Sequence, residues 1–71
     1  MTRQEANFQI LNMLGIIIGK YPDIRFGQAL VALDIVQLTQ SNNGDMVAKD
    51  PFYEESEVTC QRCHGVYDKQ K

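Results

Sequence analysis

A chain of 71 residues has room for one small domain, and a domain of that size buries only ~60% of the surface its unfolded chain exposes, so its core is marginal. Apolar residues make up 44% of the sequence, which excludes wholesale disorder. The formal net charge is −2 and the seven Lys and Arg are scattered, which argues against the electrostatic footprint of a nucleic-acid binder.

The first helix is expected over residues 3–18. Thr2 and Glu5 have the spacing of a capping box, and Gly19 followed by "KYPD" marks the stop. Ile10, Leu11, Leu14, Ile17 and Ile18 share one broad face, with Phe8, Met13 and Ile16 outside it, so the second half is apolar nearly all round. The apolar run from Ile10 to Ile18 is far shorter than the ~20 residues that span a bilayer. It begins after polar and acidic residues and lacks a small-residue cleavage site. These features predict a cytoplasmic protein with no membrane partner, whose two cysteines are reduced thiols unless they perform metal or redox chemistry.

The second helix is expected over 24–39, with Asp23 near its start. Phe26, Leu30, Leu33 and Val36 form one apolar stripe, and Ile24, Val31, Ile35 and Leu38 form another on the opposite side. A helix apolar on two faces is buried on two faces, which predicts a partner chain or target against one of them. "SNNGD" is a loop signal, and residues 40–49 are expected to be loop. The third helix is expected over 51–66. Asp50 suits the N-cap, Pro51 the first helical position, and Glu54 and Glu55 the first turn. Phe52, Ser56, Thr59, Cys60, Cys63, Val66 and Tyr67 share its inner face; Glu54, Glu57, Gln61, Arg62 and Gly65 point away. Residues 68–71 are expected to fray. The fold class is therefore all-α, a small bundle of three helices completed by homodimerisation.

Two segments, "YPDIRFGQAL" at 21–30 and "DPFYEES" at 50–56, resemble a family of small phage and prophage proteins that pair a PDxRFGQ-like segment with a DPFY-acidic segment leading into a final helix. The resemblance covers roughly the C-terminal two-thirds of the chain. It implies a phage-encoded accessory protein acting in the host cytoplasm, and it names no reaction or substrate. Final helices in such proteins carry leucine-like residues where Cys60 and Cys63 stand here, which implies that these cysteines fill core positions.

Cys60, Cys63 and His64 spell a CxxCH motif, so three cofactor readings stand beside the core reading. Covalent haem fits the spacing, but only seven residues follow His64. Zinc needs four ligands and no second Cys/His pair is present, so a dimer or Asp68 would have to complete the set. A redox pair is favoured at a helix start, and this pair lies near a helix end, where the dipole opposes thiolate. The expectation is no metal and no cofactor. Arg25 is read as a partner for an acidic or phosphate group, with Gln28 one turn on, or as a local structural contact. Gly27 within a helix costs ~1 kcal/mol relative to Ala and marks a close approach. No nucleophile–base pair or phosphate loop is present, so no catalytic residue is expected.

These readings converge on a non-enzymatic, homodimeric interaction protein that binds a host protein, with an immune or defence component as the favoured target. Its expected interface residues are Arg25, Phe26, Gln28, Val31, Ile35, Phe52 and Tyr53. The alternatives are a helix-turn-helix DNA regulator, which the poor charge of the second helix disfavours, and an oligomeric sponge for a nucleotide signal using Arg25 and the tyrosines.

Overall fold

The computed structural model describes residues 1–69. Helix α1 spans Arg3–Lys20, α2 Phe26–Ala32 and α3 Ser56–Lys69; strands β1, Gln37–Gln40, and β2, Met46–Lys49, lie between α2 and α3. The fold is thus mostly helical with a two-stranded antiparallel sheet, which corrects the all-α expectation. α1 packs along α3 and, less extensively, on α2, while the contacts of the hairpin are chiefly between its own strands.

The start of α1 follows its sequence. Thr2 Oγ1 accepts from the Glu5 N–H at 3.1 Å and Glu5 Oε1 accepts from the Thr2 N–H at 3.2 Å, the reciprocal capping box that satisfies two free donors. Ala6, Met13, Leu14 and Ile17 are the buried residues of α1. Met13 therefore faces the core, whereas Leu11 and Ile18 are exposed, so the inward face is rotated from the expected one.

The largest correction concerns the second helix. It ends at Ala32 rather than continuing to 39. The Asp34 N–H donates to the Val31 carbonyl and the Ile35 N–H to the Leu30 carbonyl, both at 2.9 Å, with Asp34 at φ 62. This is a Schellman termination with aspartate in the left-handed position that glycine or asparagine usually takes. Beyond it, Ile35, Val36 and Thr39 are β-branched and lose side-chain freedom in a helix. Residues 37–40 instead pair with 46–49, Leu38 opposite Ala48 and Thr39 opposite Val47. Residues 40–49 are accordingly a hairpin and not a loop. In its turn the Gly44 N–H donates to the Ser41 carbonyl and the Ser41 N–H to the Asp45 carbonyl. Gly44 sits at φ 86, as a three-residue turn closing on a left-handed residue requires.

α3 begins at Ser56, five residues later than expected. Asp50 caps a turn instead: its Oδ1 accepts from the Phe52 N–H at 2.9 Å, and the Glu54 N–H donates to the Pro51 carbonyl. At its other end α3 runs through Asp68 and Lys69, so this part of the tail is helical; Gln70 and Lys71 lie outside the described residues. The core comprises Ala6, Met13, Leu14 and Ile17 of α1, Ala29 of α2, Leu33 and Ile35 just beyond it, and Cys60 and Cys63 of α3. Ile35 is only 9% exposed, which removes it from the expected interface: the Schellman turn folds it back over Leu30 and into the core.

Arg62, expected to point outward, ties the parts together. Its Nε donates to the Asp34 carbonyl at 2.8 Å, and its Nη1 lies 2.8 Å from both carboxylate oxygens of Glu54. Thr59, which is buried, donates its hydroxyl to Glu54 Oε1 at 2.5 Å. Asp34 Oδ2 lies 3.7 Å from Arg62 Nε and accepts from Gln37 Nε2.

Candidate interaction surface

Phe52 and Tyr53 occupy the tip of the turn between β2 and α3. They are 79% and 96% exposed, and their rings meet edge to face with centroids 4.9 Å apart. The turn beneath them is held on both sides. Glu54 is fixed by Arg62 and Thr59, and Glu55 accepts from Arg3 Nη2 at 3.0 and 3.2 Å. Large aromatic side chains on a backbone already ordered lose little further freedom on binding, which is why such anchors dominate interface energetics. Hydrogen bonds from Thr59 first and Arg62 second hold the Glu54 carboxyl below the usual carboxylate range, so the clamp keeps its charge at neutral pH.

The other expected interface residues are less uniform. Phe26 and Val31 are exposed on α2. Gln28 is engaged within the helix, its Oε1 accepting from the Arg25 N–H at 3.0 Å. Arg25 stands at the N-cap, where an arginine side chain has no acceptor to return the second half of a capping box. Neither expected stripe is exposed along its length: Phe26 of one and Val31 of the other are exposed, while Leu33 and Ile35 are buried. Among the described residues no neighbouring group lies within 4 Å of the position a Cβ would take on Gly27, so the close helix approach expected there is not found among them.

The CxxCH residues lie together on α3, and their surroundings are those of a core. Cys60 and Cys63 are fully buried as free thiols. The Cys60 Sγ donates to Gln9 Oε1 at 3.4 Å, and the same oxygen lies 2.9 Å from His64 Nε2. Burial pushes both thiols up, Cys63 to about 11. Among the described residues no group of three or more His, Cys, Asp and Glu side chains is placed to hold a metal ion, and no helix is long and apolar enough to cross a membrane.

Two features were missed in the sequence. Arg62 was masked by its place on the nominal outer side of α3. The outward face of α1 carries Phe8, Leu11 and Ile16, all exposed, around a shallow groove of about 440 Å³ floored by Asn12 and Gly15. Its signal was present in the nearly continuous apolar character of the first helix. Comparison with known proteins returns no matching family model, no matching curated sequence and no matching solved structure.

Proposed function

We propose that this chain is a non-enzymatic, phage-encoded accessory protein that binds a host protein in the host cytoplasm and blocks or redirects it, an immune or defence component being the favoured target. The observation that carries the reading is the exposed Phe52–Tyr53 pair on a turn anchored by Arg62 and Arg3. Two adjacent aromatics held away from the core have no role within the chain that needs their exposure, and aromatic residues are enriched among interface anchors. The turn coincides with the DPFY-acidic segment of the phage resemblance. The buried thiols and the tethered His64 support a role without catalysis. The DNA-regulator alternative draws little support, because α2 is only seven residues long, short for a helix laid in a major groove.

The test is a photo-crosslinking residue at position 53, with wild type and a Phe52→Ala/Tyr53→Ala variant expressed in the host. One host protein crosslinked at stoichiometric level, competed by unlabelled wild type and not by the variant, is the expected result. Equal competition by a variant with unchanged melting temperature refutes the reading.

A further inference from the structure

We infer that the recess between α1 and the turn at 51–56 is a subsite for a lysine side chain of the protein that docks on Phe52 and Tyr53. The inference rests on the binding function proposed above. The recess measures about 260 Å³, below the ~300–1,000 Å³ of sites that enclose drug-sized ligands, so it suits a group the size of one side chain. Ile10, Ile35 and Pro51 form apolar walls, and Asn7, Glu54, Ser56 and Thr59 supply polar atoms. Pro51 and Glu54 flank the two exposed aromatics in sequence, so the recess adjoins the turn that presents them.

The polar atoms select a cation. No Lys, Arg or His lines the recess, and Glu54 is its charged residue. The Thr59 hydroxyl donates its proton to Glu54 Oε1, so it presents only lone pairs to a further group. A carboxylate takes about four hydrogen bonds, and Thr59 and Arg62 supply those seen at Glu54 without filling it. Arg62 is shared between Glu54 at 2.8 Å and Asp34 at 3.7 Å, so these three groups keep a net negative charge. Lys49 acts on Glu54 more weakly than Arg62 and does not line the recess. An arginine fits poorly, because Arg62 Nη1 already lies against both oxygens that a guanidinium fork would need. A lysine brings a compact head with three donors on a flexible apolar stem, which matches carboxylate, hydroxyl and amide at one side and isoleucine and proline at the other.

Titration of the full chain with n-butylammonium, followed through backbone amide NMR signals, tests the subsite apart from any host protein. Saturable shifts at Ile10, Ile35, Ser56 and Thr59 are expected, with affinity about tenfold above that of n-butanol, because charge-assisted hydrogen bonds are the stronger kind. n-Butyrate should give no saturable shift. Asn7 is exposed, so Asn7→Phe should obstruct the recess and abolish the shifts at unchanged melting temperature. Equal binding of n-butanol, binding of n-butyrate, absence of saturable shifts in wild type, or shifts that persist in Asn7→Phe each overturn the inference. A second arm reads the source of the amine. Asn7→Phe should compete about fivefold less well than wild type for the host protein crosslinked at position 53, as loss of one hydrogen-bonded group implies. Unchanged competition, or ammonium binding with no host protein crosslinked, overturns the assignment to a partner's lysine. Crosslinking that succeeds while the titration fails removes the subsite and leaves the binding function standing.

Discussion

Arg62 Nη1 lies 2.8 Å from each carboxylate oxygen of Glu54, and the two side chains are only 21% and 29% exposed. The pair is shielded enough to matter, and the same guanidinium also caps the carbonyl of Asp34. Removing one partner of a shielded pair leaves the other unsatisfied, which is the costly case. Arg62→Ala should therefore destabilise the fold by about 2–3 kcal/mol, a fall in melting temperature of roughly 10–20 °C for a chain this small. Thermal denaturation followed by circular dichroism measures it. A loss below 0.5 kcal/mol, the range of ordinary surface changes, would show that the clamp is ornamental to stability.

Acid should weaken the same clamp. The Glu54 carboxyl is held below its ordinary value of 4.5 in the folded state, by Thr59 first and Arg62 second. A depressed carboxylate contributes stability that is fully present above the unfolded value and lost as pH falls through the folded one. Stability should thus decline from about pH 4.5 downward, and Glu54→Gln should flatten that decline. Glu5, held down by Thr2, acts in the same direction at an exposed site. Urea titrations at pH 7, 4.5 and 3 on wild type and Glu54→Gln check the sign and the window.

The thiols give an alkaline counterpart. Cys63 is pushed from 9.0 up to about 11, and Cys60 is raised as well, both chiefly by burial. The unfolded chain ionises these thiols first, so stability should fall as pH rises from about 9 towards 11. At neutral pH both thiols should react with a maleimide or an aromatic disulfide far more slowly than in urea. Cys63→Ala should remove most of the alkaline slope while costing about 1–2 kcal/mol at pH 7 through a small cavity. Rapid labelling of folded protein at pH 7 would contradict the buried placement.

Asp34 stands where a left-handed residue is required, at φ 62. Asparagine tolerates that conformation and can still accept from Gln37, so Asp34→Asn should change stability by less than about 0.5 kcal/mol. Asp34→Val adds a branched Cβ at positive φ and should cost about 2 kcal/mol. If both variants melt together, the Schellman turn is not what ends α2.

α1 was legible because its signals are local: Thr2 and Glu5 are three residues apart, and Pro22 lies just past its end, although the helix runs through Gly19, the expected stop, to Lys20. The inner residues of α3 were legible as well, since Thr59, Cys60 and Cys63 follow helical spacing and all three are buried. The stretch from Asp34 to Lys49 was misread because residues 30–38, apolar except at Asp34 and Gln37, satisfy a helical period as well as a strand. The deciding signals were the β-branched residues Ile35, Val36 and Thr39 and the Asn43–Gly44 pair, a strong hairpin turn when flanked by apolar segments. Asp34 as a left-handed helix stop had no clear signature, because aspartate is an uncommon substitute for glycine there. Phe52, also expected on the inner face of the third helix, lies outside that helix and is exposed with Tyr53, whereas Ile35 is buried because its position depends on that same turn.

The two arginines that brace the aromatic turn come from opposite parts of the chain. Arg3 grips Glu55 and Arg62 grips Glu54, so residues 3, 54, 55 and 62 meet around one short peptide. Arg3, in the first turn of α1, is thereby tethered to the segment that carries Phe52 and Tyr53. A bulky fusion just ahead of α1 loads the Arg3–Glu55 brace of the proposed binding turn, so a weak result from such a fusion reports on that brace as much as on affinity.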